Sequence, residues 1–231
     1  MMLSELKEEV WKANIDLTNH GLVVLTFGNV SGIDRTRGVF VIKPSGVSYT
    51  QLKARDMVAV DLDGRVVDGK LSPSTDMPTH LLLYRHFAGI GGVVHTHSTC
   101  ATAFAQARMP IPCLGTTHAD VFHGEVPVTR FLTKQEVTTA YEKNTGTLIA
   151  KRFKTLNPMH VPGVLVAGHG PFTWGRNAAD AVTNSVMLEE VARMALSTFK
   201  LKPAAAALPA FILEKHFSRK HGPGAYYGQK R

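Results

Sequence analysis

Gly91-Gly92-Val93-Val94-His95-Thr96-His97 is a glycine pair, a β-branched run and two histidines at i and i+2. Such a run predicts a short strand, and residues two apart on a strand point to one face. Both imidazoles then leave the strand end together, as two neutral nitrogen ligands of one divalent metal would. With 11 His in 231 residues, chance supplies about half of one such pair, and a hydrogen-bonded core histidine would look the same. The rest of the chain has to decide between these readings.

Downstream, Pro162-Gly163-Val164-Leu165-Val166-Ala167-Gly168-His169-Gly170-Pro171 reads as a buried apolar strand ending at His169. Glycines on both sides of that histidine let a ligand or metal approach the backbone, although a plain turn histidine has the same sequence. Asp76, in Ser72-Pro73-Ser74-Thr75-Asp76-Met77-Pro78, can offer a hard oxygen to the same ion. It can equally cap the helix that Pro78 opens, or do both. Three histidines and one carboxylate suit zinc or another first-row divalent ion. Cys100 follows His97 by three, but a small buried thiol is the simpler reading.

Around these residues the pattern alternates strands and helices. Residues 39–42, 57–61 and 66–67, and the apolar stretch 23–27, predict short strands between Gly and Asp turns. Helical spacing marks 3–19 after a Ser4 cap, 77–87, 99–107, 133–153 behind a Thr133-x-x-Glu136 capping box, and a largely apolar, buried 178–199. Helices on both faces of one sheet are the expected α/β architecture. At 231 residues and 44% hydrophobic, with no linker, repeat or low-complexity block, the chain is expected to be one domain, 1–231. It has no apolar run of roughly 18 residues and no cleavable signal, so a cytoplasmic protein without membrane contact is expected. Cys100 and Cys113 form no CxxC pair, in keeping with a reducing compartment.

The net charge is +8, and half of it sits in the last 21 residues, where Lys215, Arg219, Lys220, Lys230 and Arg231 face Glu214 alone. No nucleic-acid motif accompanies this tail, and a localised positive field also steers a phosphorylated small molecule. By composition the tail reads as disordered unless it docks on a partner. Three segments suit an anion: Gly28-Asn29-Val30-Ser31-Gly32, Lys43-Pro44-Ser45-Gly46 and Ser72-Pro73-Ser74-Thr75. Each joins hydroxyl or amide donors to Gly or Pro, so backbone N–H groups can turn toward a phosphate, and Lys43 adds a charge. Singly each is an ordinary turn. No Walker or GxGxxG pattern is present, so nucleotide binding has no support.

Gly28-Asn29-Val30-Ser31, Ile42-Lys43-Pro44-Ser45-Gly46-Val47, His95-Thr96-His97-Ser98, Gly115-Thr116-Thr117-His118-Ala119-Asp120, His169-Gly170-Pro171-Phe172 and Ala225-Tyr226-Tyr227-Gly228-Gln229 together resemble the class II aldolase/adducin-head family, in its epimerase branch. The resemblance runs from the first helix to the terminal Tyr-Tyr-Gly-Gln. It implies a three-layer α/β/α fold around a mostly antiparallel sheet, assembled as a cyclic homotetramer. It implies Zn2+, or Mn2+ or Co2+, on His95, His97 and His169 with Asp76 beside them. Phosphate binding falls to Gly28, Asn29, Lys43, Ser45, Gly46, Ser74 and Thr75, the last standing where the family pattern has a second serine. The implied acid/base pair is Asp120 and Tyr227, with the tail (about 211–231) reaching a neighbouring subunit's site and His216 and Arg219 near the substrate phosphate.

The activity so implied is epimerisation of a phosphorylated pentulose, L-ribulose 5-phosphate to D-xylulose 5-phosphate. Carbon 4 lies next to a hydroxyl-bearing carbon, not a carbonyl, so its direct deprotonation is prohibitive. Cleaving C3–C4 instead gives a dihydroxyacetone enediolate and an aldehyde that rotates before the bond re-forms. A divalent cation supplies the Lewis acid, so no Schiff-base lysine is required. The aldehyde oxygen lies on opposite sides before and after, which requires two proton-transfer groups. The same activity serves arabinose and L-ascorbate breakdown in bacteria, and the site residues do not choose between them. Without these motifs Asp120 reads as a turn cap. Three other readings are a class II sugar-phosphate aldolase, an adducin-head-like interaction module and a nucleic-acid binder. Aldolases of this type place Glu where Asp76 stands and lack the Tyr-Tyr-Gly-Gln ending.

Overall fold

The computed structural model describes residues 2–221 and 224–227. Gly228 and Gln229 of the terminal motif, with the other tail residues outside this range, lie outside the described residues. In chain order the elements are α1 (Leu3–Asn19), β1 (Asn29–Asp34), β2 (Val39–Ile42), β3 (Val58–Asp61), β4 (Val66–Asp68), α2 (Met77–His86) and β5 (Gly92–His95). There follow α3 (Thr99–Ala107), α4 (Thr116–Ala119), α5 (Lys134–Arg152), β6 (Gly163–Val166), β7 (Gly170–Gly175), α6 (Ala178–Leu201) and α7 (Ala210–His221). The strands form one sheet ordered β4-β3-β2-β1-β5-β7-β6, and every neighbouring pair is antiparallel.

Alternation along the strands builds the two outer layers. Phe40, Ile42, Val58, Val60 and Val93 face a core shared with α2, α3, α5 and the later turns of α6. Val30, Val41, Ala59 and Val94 face the opposite side, against α1 and the first turns of α6. The expected three-layer α/β/α architecture is therefore present. A Cβ on Gly92 would run into the Asn177 backbone, so the glycine pair before His95 is where α6 closes onto β5.

Several local expectations need correction. Residues 23–27 are not a strand: they form the loop into β1, with Val24, Leu25 and Phe27 exposed and Leu25 at φ +56°. The strand lies just beyond, in a segment whose Asn29 and Ser31 disguise it but whose polar groups are all put to use below. Helix α1 starts at Leu3, so Ser4 sits inside the first turn and the Met2 N–H goes to Glu5 instead, at 2.7 Å. The Thr133/Glu136 box forms in both directions, at 3.2 and 2.8 Å, yet α5 breaks at Ala140 (φ −165°, ψ 74°). The strand Gly170–Gly175 has no counterpart in the sequence reading. Residues Ala210–His221, expected to be disordered unless docked, are a helix packed on α4 of the same chain.

Candidate active site

β5 delivers His95 at its last residue, and His97 lies two residues beyond, kept in line with β7 by the Thr96 N–H bond to the Pro171 carbonyl (3.3 Å). His169 sits in the turn between β6 and β7, after Gly168 at φ +70°. The three rings converge with centroids 4.7 to 5.0 Å apart, and one ligand nitrogen from each lies within 4.8 Å of the others. Cys100 does not join them. It lies in the first turn of α3, where the N–H groups of Cys100 and Ala101 are capped at 2.8 and 2.9 Å by the buried carboxylate of Glu189 from α6.

The protonation states suit a cation. His95 Nδ1 is 3.0 Å from the Pro171 carbonyl, which can only accept, so the proton is on Nδ1 and the Nε2 lone pair faces His97 Nε2 at 3.1 Å. Burial, followed by the neighbouring His95 and His97, pushes His169 down to about 4. Burial also lowers His97, with His95 adding to the effect. A cation shared by the two rings would take the place of the hydrogen between these nitrogens. Nitrogens bonded to a tetrahedral zinc at about 2.0–2.1 Å lie roughly 3.4 Å apart, so the donor set fits a first-row divalent ion. Tyr141 Oη, 3.3 Å from His169 Nδ1, braces the third ring.

Asp76 occupies the cap position of α2, but its carboxylate makes no capping bond. It turns to the site and accepts from Asn29 Nδ2 at 2.8 Å; that amide also donates to Ser74 Oγ at 3.1 Å. Burial works to raise the Asp76 pKa, but His95, His80, the Asn29 bond and His169 hold it below the ordinary value. Residues 43–45 and 72–74 are zipped together by Ser45 N–H to Ser72 O (3.0 Å) and Ser74 N–H to Lys43 O (2.9 Å). The two segments thus share one wall. Lys43 is 1% exposed. Its Nζ has the Pro44 carbonyl at 3.4 Å and the Tyr49 ring at 4.9 Å, and burial lowers its pKa to about 8.

All of these residues line one cleft of about 360 Å³: Gly28, Asn29, Lys43, Ser45, Gly46, Ser74, Thr75, Asp76, His95, His97 and His169. Gly28, at φ +82°, has no room for a side chain, since a Cβ would lie 2.7 Å from Val23 and 3.0 Å from the His95 carbonyl. The cleft also contains Phe27, Tyr141 and Glu142, which sequence reading missed. Tyr141 and Glu142 reach it through the break at Ala140, where Thr79 Oγ1 bonds the Glu142 carbonyl at 2.6 Å. Nothing in a continuous helical pattern signals that break.

Asp120, Tyr227, His216 and Arg219 do not line this cleft; the structure gathers them elsewhere. Asp120 ends α4 and accepts from Arg219 Nη2 and Nε at 2.7 and 3.1 Å, with His216 Nδ1 at 3.0 Å and Lys220 at 3.4 Å. Burial opposes ionisation of Asp120, but Arg219 and His216 outweigh it and hold the carboxyl below its ordinary value. The backbone N–H of Tyr227 returns to the Arg219 carbonyl at 3.1 Å, and its exposed ring lies 4.9 Å from the Arg219 guanidinium and 4.4 Å from Lys220.

Comparison with known proteins places the chain in a family. L-ribulose-5-phosphate 4-epimerase UlaF of Salmonella paratyphi B is 55% identical over 228 residues, 99% of this chain and 100% of that protein. The protein of the same name from Salmonella typhi is likewise 55% identical over 99% of this chain and 100% of its own length. Among solved structures, an L-fuculose 1-phosphate aldolase superposes with TM-score 0.81 at 27% identity, covering 95% of this chain and 97% of its own. The L-fuculose-1-phosphate aldolase from Thermus thermophilus gives 0.68 at 27% identity, over 88% and 98%. The family described as Class II Aldolase and Adducin N-terminal domain matches residues 8–196, and the chain belongs to that family.

Proposed function

We propose that this chain is a metal-dependent epimerase that interconverts L-ribulose 5-phosphate and D-xylulose 5-phosphate at carbon 4, acting as a cytoplasmic homotetramer. One observation carries the chemistry. Three converging imidazoles and a carboxylate share a cleft with a buried lysine whose described partners are a carbonyl and an aromatic ring. The 55% identity to named epimerases over nearly the whole chain supports the substrate.

His95, His97 and His169 would hold the ion, with Asp76 supplying or steering an oxygen. When bound, a zinc-like ion supplies the Lewis acidity that makes the enediolate accessible. Lys43, the hydroxyls of Ser45, Ser74 and Thr75 and the backbone at Gly28 and Gly46 hold the phosphate. That grip keeps the aldehyde fragment in place while its carbonyl rotates; a looser one would release it and leave an aldolase. Asn29 plays a different part from the one its motif suggests. Its Nδ2 is committed to Ser74 and Asp76, and its buried Oδ1 has no partner. An acceptor suits a sugar hydroxyl and not a phosphate dianion.

Asp120 and Tyr227 serve as the two proton-transfer groups, one for each side of the aldehyde. Because they stand apart from the cleft of their own chain, a neighbouring copy brings both, together with His216 and Arg219. This extends the expectation that the tyrosine crosses between subunits to the aspartate as well.

A coupled assay with L-ribulose 5-phosphate tests the reading. Formation of D-xylulose 5-phosphate that chelator abolishes and divalent metal restores is the expected result. Accumulation of dihydroxyacetone and glycolaldehyde phosphate would mean an aldolase, and no turnover by metal-loaded protein would overturn the assignment.

A further inference from the structure

Behind the cleft runs a buried hydrogen-bonded chain that the proposed reaction does not use. Tyr84 Oη lies 2.7 Å from Ser31 Oγ, which lies 2.7 Å from His80 Nδ1. All three side chains are essentially inaccessible, and His80 Nε2 is buried without a partner. A ring this dry, with one nitrogen on a neutral hydroxyl and the other without a partner, carries a single proton.

Counting hydrogens places that proton. If Tyr84 donates to Ser31 and Ser31 donates to His80 Nδ1, every hydrogen in the chain is used except one on Nε2. In the reverse sense, Nδ1 donates to Ser31 and Ser31 to Tyr84. The phenol hydrogen and the Nε2 lone pair are then both stranded in a dry interior, and each buried orphan is costly. The first arrangement leaves a single orphan, a donor.

The surroundings narrow what that donor can serve. His80 and Asp76 lie one turn apart on α2, joined by the His80 N–H to Asp76 O bond at 3.1 Å, so their side chains share a face. Phe172 packs edge-on to the His80 ring at 6.1 Å and stacks on His95 at 4.2 Å, which seals the ring against the metal-binding wall.

We infer that His80 is a positioning residue for the metal site: Ser31 and Tyr84 hold it as the Nε2–H tautomer, and that hydrogen goes to the Asp76 carboxylate when the site is loaded. The inference rests on the reading of His95, His97 and His169 as metal ligands. It gives Asp76 a second fixed donor besides Asn29, leaving one oxygen direction for the ion.

The test is nitrogen-resolved NMR of histidine-labelled protein with and without Zn2+, joined to zinc affinity and melting temperature for His80→Gln and His80→Asn. The expected result is a proton on Nε2 in both states, with its resonance shifted and slower to exchange once zinc binds. Gln reaches the ε position with an amide N–H and should hold zinc within about threefold of wild type. Asn keeps a group near Nδ1 but does not reach ε, and should weaken binding about 10–100-fold. A role in packing alone would lower both melting temperatures and leave the affinities alike. A proton on Nδ1, an Nε2–H indifferent to zinc, or equal affinities in the two variants would overturn the inference. Wild-type protein that takes up no zinc would instead overturn the metal reading, and the tautomer in zinc-free protein would still judge the hydrogen-bonded chain. Should either variant fail to fold, the wild-type spectra decide.

Discussion

The histidine cleft and the Asp120 cluster are built on opposite principles. The cleft is set by the sheet: β1, β5 and the β6–β7 turn bring their residues together through antiparallel register, and burial holds His97 and His169 below the ordinary imidazole range. The Asp120 cluster is charged and set by side chains: one carboxylate gathers Arg219, Lys220 and His216 and so fastens the terminal helix. The first arrangement groups imidazoles, a carboxylate and a buried lysine around one cleft. The second ties an ionised acid to its cationic partners beside an exposed phenol. In the function proposed above each is half of an acid/base metal site, and the two halves meet between copies.

Complementation is the severest way to break that pairing. His97→Asn and Asp120→Asn should each lower kcat about 10²–10⁴-fold, since each removes a metal ligand or a proton-transfer group. Co-assembled in equal amounts they should regain about a quarter of wild-type activity, because random mixing gives that share of sites an intact half from each copy. Steady-state rates of the mixture measure this, and no recovery above the two separate variants would place both halves in one chain.

Acid should separate the regions next. His80 falls from an ordinary 6.5 to about 3 in the fold, so the unfolded chain takes up that proton first. Its stability contribution is complete above pH 6.5 and is lost as pH falls toward 3, on the order of 5 kcal/mol in all. The Asp120 carboxyl is depressed below 3.8, so its contribution persists until the pH drops below that value. Melting temperatures of metal-free protein from about pH 7 to pH 4 should therefore decline through the cleft histidines, and His80→Gln should flatten the slope.

How far the sequence carried this comparison depends on the physical origin of each part. Val93-Val94 before two histidines, the Thr133/Glu136 box and the spacing of 3–19 are local signals, and they folded as read. β1 was hidden because a central strand is normally apolar, whereas Asn29 and Ser31 here are buried for the groups they hold. The apolar look of 23–27 misled for the converse reason: Val24, Leu25 and Phe27 stay exposed. The cleft residues were legible as motifs. Tyr141 was not, because it arrives through a break at Ala140 supported by Thr79, Asn144 and Thr145, from elsewhere or later in the chain. Nor could spacing show that Asp120 faces away from the histidines of its own chain.

Two milder changes sharpen the contrast. Lys43→Met should raise KM for the phosphorylated substrate about 10–100-fold, the worth of a charge-assisted bond, with zinc affinity unchanged. Arg219→Ala should raise KM only severalfold, about 1 kcal/mol, while amide exchange in α7 quickens as its anchor on Asp120 loosens. An unchanged KM in Arg219→Ala would leave that arginine a purely structural tie.

The isolation of Lys43 also bears on what the cleft refuses. A free ketopentose has no dianion to set against Nζ, so it would bury a cation already stripped of water and leave it uncompensated. Such a ligand meets a penalty instead of a merely missing contact, and penalties of this kind discriminate far more sharply than the loss of an apolar contact. Kinase action upstream would then be a requirement written into the interior of the fold.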